Sequence, residues 1–345
     1  MKKSFPTIIL CEVFASIFLS ACLKNSEAEP LEIFRVSTLF VSNAETTVNA
    51  KNLQLFKPAD STILIPKLEL NNGAQDGNGI LFVASKNFLF QISRAQKSIR
   101  LYTNASSLFE ASLPNNIIID STLSSGREIA YDATNDALFV ANNTDSTIRV
   151  YEKVSTLNGK YVGKKLKLSG EPWGITYDKK NNRLFVVMDK NALRIEIYNN
   201  PSGIEAGKVT ASLRFFINGY KINGTTARLH GIAYSSQRDM LFVTEIGNAS
   251  GANFDKDGGI YIIDKVSKIT NNSSILANRA IYGSNTGLGN PVDIAIDDRN
   301  IKGFIYVAEK ANKKILVFGF GDNGNVTPIR GYTSTFSPEA IDIDY

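Results

Sequence analysis

Cysteine is almost missing from this 345-residue chain: Cys11 and Cys22 are the only two, and both fall within the first 22 positions. Everything after them must fold without a disulfide and can hold no thiol nucleophile. Histidine is scarcer still. A single imidazole, His230, cannot build a His-rich zinc site. A triad around it would need a marked serine, and no Gly-x-Ser-x-Gly elbow is present. The chain also lacks a strong charge of one sign, with 38 Lys and Arg against 33 Asp and Glu. Its one basic run, Lys160 to Lys167, alternates in the way of a solvated outer strand. These features argue against a nucleic-acid partner. Long apolar runs are confined to Ile8–Leu19, too short to be a stable membrane span.

That run has a different use. Lys2 and Lys3 precede it and small residues follow it, the layout of a secretory signal peptide, with Glu12 as the one costly intrusion. Leu19-Ser20-Ala21-Cys22 resembles the lipobox of bacterial lipoproteins. The resemblance implies lipidation of Cys22, and Leu23 after it favours the outer membrane. The expected layout is a leader at 1–21, a flexible polar tether at 22–30 and one domain at 31–345. Removing Lys2, Lys3 and Glu12 with the leader leaves 36 basic and 32 acidic side chains, a net charge of +4. With no disulfide available, stability has to come from burial, which a domain of this size can supply.

What the chain has in plenty is repetition. Leu39-Phe40-Val41 returns as Leu89-Phe90-Gln91, Leu138-Phe139-Val140, Leu184-Phe185-Val186, Leu241-Phe242-Val243 and Ile305-Tyr306-Val307, spaced by 50, 49, 46, 57 and 64 residues. A period of this length signals stacked or radial repeats. In the clearest unit, Ile129–Asp132, Leu138–Asn142, Thr147–Tyr151 and Gly159–Leu168 read as four short strands joined by polar turns, which is one propeller blade. The series opens on a second strand at Leu39 and ends on a first strand, Pro338–Asp344. The C-terminal strand should therefore complete the N-terminal blade. The expectation is an all-β, six-bladed β-propeller; a seventh blade would have to hide in an insertion such as Ile217–Ala227. Two stretches, Gly283–Leu288 running on through Asn290–Asp297 and Gly324–Gly331, resemble the blade junctions of NHL and YVTN-like propellers. That resemblance speaks for fold; such propellers host binding, scaffold and hydrolase roles alike.

The blade alignment brings the residues before first strands and after second strands to one face of the ring. The candidate ligand residues on that face are Asn78, Arg127, Glu128, Asn142, Trp173, His230, Glu245, Asp293, Glu309 and Glu339, with Asn43, Ser93, Met188 and Asp189 nearby. A second candidate is Asn253–Asp264. Asn253, Asp255, Asp257, Gly259 and Asp264 follow the spacing of a calcium loop, with Asn at its first place and Asp at its last. The expected function is a monomeric, lipid-anchored binding or scaffold module of the cell envelope, taking a protein, glycan or small ligand at the channel mouth. The alternative rests on a resemblance to calcium-dependent lactonases and gluconolactonases. It implies a Ca²⁺ among Asn142, Glu245, Asp293, Glu309 and Glu339, with His230, Glu245 and Glu309 as catalytic candidates.

Overall fold

The structure is a computed structural model and describes residues 37–190, 193–218, 228–299 and 302–344. The leader, the tether and Cys22 lie outside these residues, as does 219–227 of the insertion considered above.

The strands form six small sheets. From inside outwards, blade 1 holds Pro338–Asp344, Thr38–Asn43, Leu53–Phe56 and Pro66–Leu70. Blade 2 holds Gly77–Val83, Phe88–Ser93, Ser98–Tyr102 and Asn116–Ile119, and blade 3 holds Gly126–Asp132, Ala137–Asn142, Thr147–Glu152 and Lys164–Lys167. Blade 4 holds Pro172–Asp178, Arg183–Met188, Arg194–Asn199 and Leu213–Asn218. Blade 5 holds Leu229–Ser235, Met240–Glu245, Gly259–Asp264 and Arg279–Tyr282, and blade 6 holds Pro291–Asp297, Phe304–Glu309, Lys314–Gly319 and Arg330–Thr333. The six inner strands contact one another in a ring. This is a six-bladed β-propeller, closed by pairing of the C-terminal strand with Thr38–Asn43.

The repeated Leu-Phe-Val phrase follows from strand alternation. Its central aromatic leaves the sheet on the side of the next blade. Phe40, Phe90, Phe139 and Phe185 meet Phe82, Tyr131, Tyr177 and Tyr234 with ring centroids 5.2, 5.6, 6.2 and 4.9 Å apart. In the last two junctions Phe242 packs with Ile294 and Ile296, and Tyr306 with Ile341 and Ile343. Each buried cluster draws on two adjacent blades, so the core is distributed between blades and leaves the axis free.

The tyrosines carry a second device. Tyr131, Tyr177 and Tyr234 donate their hydroxyls to Asp136, Asn182 and Asp239, five residues on, at 2.8, 2.9 and 3.0 Å. Those three turn residues have φ of 49°, 47° and 55°, a conformation that Asn and Asp tolerate better than most side chains.

The outer edges depart from a simple reading of the repeat. Gly159–Leu168 is not one strand. Gly159–Lys160 pairs in parallel with blade 2, and only Lys164–Lys167 forms the fourth strand of blade 3. The chain changes sheet at Gly163, where a Cβ would lie 2.9 Å from the Tyr151 ring and where the N–H donates to Asp120 Oδ2 at 3.0 Å. Gly207–Lys208 and Ser273–Leu276 cover the edges of blades 3 and 4 in the same way. The last connections of blades 3, 4 and 5 thus shield the outer edges of blades 2, 3 and 4.

Candidate functional site

Five of the inner strands start with an irregularity that the sequence pattern does not reveal. Gly77, Gly126, Pro172, Leu229 and Pro291 pair with the ends of the second strands, and the register then shifts before regular pairing resumes. A similar shift occurs in the closing blade, between Ser42 and Asn43 of its second strand. Asn78, Arg127, Trp173, His230 and Glu339 therefore sit on the strands at these bulges rather than in loops ahead of them.

These five residues converge, but they fill the mouth they were expected to line. The Trp173 and His230 rings stack at 3.5 Å between centroids, 10° from parallel, and the Arg127 guanidinium carbon lies 4.0 Å over the Trp173 ring. Arg127 also reaches Asn78 Oδ1 and Glu339 Oε1, both at 3.3 Å, and Glu339 is further paired with Lys310. On the other flank His230 Nε2 is 3.5 Å from Asp189 Oδ1, and Arg228 grips both Asp189 oxygens at 2.7 and 2.9 Å. Burial alone would raise the Asp189 carboxyl, but the hydrogen bonds and charges of His230 and Arg228 outweigh it and hold the group well below the usual carboxylate range. Burial pushes His230 down to about 4, against the pull of Asp189. The imidazole is thus neutral at physiological pH. As the chain's only histidine it gives an unambiguous NMR signal, expected to stay flat between about pH 5 and 8. A titration near 6.5 would contradict this closed layer.

Beneath this plug the axis opens into a cavity of about 410 Å³. Its wall includes Leu81, Ala130, Thr176, Ala233, Ala295 and Asp342, one from each inner strand. Four of the six are small, which leaves the space. The lining also includes Ser85, Ala133 and Lys179, from the turns that join inner to second strands, so the cavity opens on that face. Toward the plug the inner strands close in. A Cβ at Gly174 would lie 2.1 Å from the His230 carbonyl oxygen, and one at Gly231 would lie 2.6 Å from Asp293 Cα.

At this narrow level Glu128 and Asp293 face each other from opposite blades within hydrogen-bonding range. The Glu128 carboxyl accepts the Ile129 N–H at 2.9 Å, Asp293 accepts that of Ile341 at 2.8 Å, and Asp342 accepts that of Phe82 at 2.6 Å. Asp293 and Asp342 thereby tie the closing strand to both neighbouring blades. Burial raises both to about 7 against these backbone donors. Burial, then the charge of Asp293, lifts Glu128 well above the usual range. The pair therefore retains a proton at neutral pH.

The other candidates go elsewhere. Asn142 accepts the Ser125 N–H at 2.7 Å and donates to Asp145 at 2.8 Å. Glu245 accepts the Tyr261 hydroxyl, and burial raises it to about 7. Glu309 accepts three backbone N–H groups, from Gly289, Asn290 and Asn312, at 3.2, 2.5 and 2.7 Å. All three hold their own blades together and do not reach the channel.

The calcium spacing does not close either. Asp257 accepts the Asn248 N–H at 2.9 Å, Asn253 and Asp255 are exposed, and Gly259–Asp264 is an extended strand. That strand carries Asp264 roughly 17 Å from Gly259, where it pairs with Arg279 at 3.3 Å. Among the described residues no group of three or more His, Cys, Asp or Glu side chains is placed to hold a metal ion. Asp342, Arg228 and Lys310 are the participants sequence reasoning missed. Only Asp342 left a signal, as the one acidic residue at an otherwise small or apolar register position.

No family model matches the chain, and no curated protein matches its sequence. Solved structures match its fold. The chain is similar to a chain of a nidogen/laminin complex, with a TM-score of 0.58 and 13% identity over 90% of this chain and 98% of that one. It is also similar to a candidate 6-phosphogluconolactonase from Bacteroides fragilis, with a TM-score of 0.61 and 10% identity over 92% of this chain and 100% of that one. At such identities the likeness shows a shared propeller architecture and no more.

Proposed function

We propose that this protein is a lipid-anchored binding module of the bacterial cell envelope, an NHL-like propeller that takes a small ligand into its central channel. The observation that carries the binding reading is the cavity of about 410 Å³, open on the turn face and shut at the other end by the Arg127–Trp173–His230 layer. Its volume and its apolar walls around a few convergent polar groups suit a small-molecule site. Thr176 lines the wall, so Thr176→Phe fills the pocket without touching the plug. Compounds that raise the melting temperature of the wild type should leave that variant unmoved. Equal shifts in both proteins would place binding outside the channel.

The lipid anchor rests on the basic start, the apolar run and the Leu19–Cys22 lipobox. Cys22→Ser is expected to leave the fold intact and move the protein from the membrane fraction to the soluble one. Retention in membranes would sink the anchor.

Lactone hydrolysis is the second reading. In its favour stand the proton-sharing pair Glu128–Asp293 at the pocket floor and the likeness in fold to a candidate lactonase. Its calcium-dependent form does not fit the residues present, because Asn142, Glu245 and Glu309 are spent inside their blades and Glu339 is paired with Arg127 and Lys310.

A further inference from the structure

Resting on the channel reading above, we propose that the pocket selects an organic cation, a small primary ammonium whose charged head sits on the floor formed by Glu128 and Asp293, with the Asp342 carboxyl on the adjoining wall. The floor is acidic and, among the described residues, has no cation of its own. Among the described residues Lys179, at the turn-face end, is the one basic residue in the lining. Arg127, in the plug behind the floor, is committed to Glu339 and Asn78 and stacked on Trp173. The three carboxyls are oriented by backbone donors from Ile129, Ile341 and Phe82, so they need not reorganise to receive a ligand. Their raised proton affinity is the mark of desolvated acids without a counter-charge, and an ammonium supplies that charge.

Other ligand classes fit less well. An anion would be desolvated against carboxyls, which disfavours phosphorylated or carboxylated ligands. A bare metal ion finds no set of three side chains placed for it among the described residues. The walls above the floor, including Leu81, Ala130 and Ala233, are apolar and suit an alkyl or aryl body on the ammonium. A cavity of about 410 Å³ holds far more than the head group alone.

The test is calorimetric titration of the full chain near pH 8 with three probes of matched shape: 2-phenylethylammonium, 2-phenylethanol and 3-phenylpropanoate. A short series of alkylammoniums accompanies them. The ammonium should bind at least roughly tenfold more tightly than the alcohol, and the carboxylate should not bind. Glu128→Gln should weaken the ammonium by a similar factor, and Asp342→Asn gives a second reading should that variant fold poorly. Equal binding of ammonium and alcohol, no effect of both substitutions, or no ammonium binding up to about 10 mM overturns the assignment. If a neutral or anionic probe binds and Thr176→Phe abolishes it, the cation assignment falls while the channel reading stands. If Thr176→Phe leaves all binding intact, the channel reading falls as well.

Discussion

Deleting the last eight residues, 338–345, abolishes cooperative unfolding. The strand Pro338–Asp344 is the inner strand of blade 1 and pairs with Thr38–Asn43 along its length. Without it, Ala340, Ile341 and Ile343 leave two interblade clusters, and the edge of Thr38–Asn43 is opened to the channel. Asp293 loses the Ile341 N–H, and Phe82 N–H loses the Asp342 carboxylate. The apolar part alone is on the order of 5 kcal/mol, comparable to the whole stability of many domains. Circular dichroism melting with size-exclusion chromatography should show a broad, non-cooperative loss of signal and aggregation through the exposed edge. A truncated monomer melting within a few degrees of the full chain would contradict ring closure by this strand.

The second large effect is a stability that falls as pH rises from acid toward neutral. Asp342 has a folded pKa of about 7 against an ordinary value of 3.8. Between those values the folded state holds a proton that the unfolded state has released, so stability declines with rising pH across that window and levels off above it. The penalty is fully developed near pH 8 and, the side chain being half-buried, amounts to at most about 4 kcal/mol. His230 works in the opposite direction, since its folded pKa of about 4 lies below the ordinary 6.5 and its contribution grows as pH rises through that range. Comparing Asp342→Asn with the wild type isolates the carboxyl. The variant should melt at about the same temperature as the wild type near pH 4 and roughly 5–10 °C above it near pH 8. A difference that does not change with pH would show that the Asp342 carboxyl does not have a raised pKa.

The sequence spoke clearly where the cause is local. Phe40, Phe90, Phe139 and Phe185 recur because every second strand must offer an aromatic to its neighbour, and that requirement is written out at each repeat. Ring closure was legible because the series begins and ends on incomplete units. The site was legible only as a neighbourhood. Asn78, Arg127, Trp173, His230 and Glu339 do come together, yet whether a ring of side chains lines a mouth or fills it depends on stacking between blades that no single repeat encodes. The pairing of Glu128 with Asp293 joins opposite blades, and the capture of Glu309 by three backbone N–H groups depends on how its own loop turns. The first is a product of ring closure, and the second of turn conformations that a repeat pattern does not spell out.

The near absence of cysteine provides the most direct test of the central claim, a channel open at one end and shut at the other. With Cys11 and Cys22 replaced by serine, a single cysteine is introduced either at Thr176, on the pocket wall, or at Asn78, in the plug layer. A small, charged methanethiosulfonate is then added to the folded protein and the labelling rate followed by mass spectrometry. The account predicts labelling of Thr176→Cys at a rate approaching that of an exposed thiol, and protection of Asn78→Cys by about two orders of magnitude or more. Equal labelling at the two positions, or protection at Thr176 with reaction at Asn78, would contradict it.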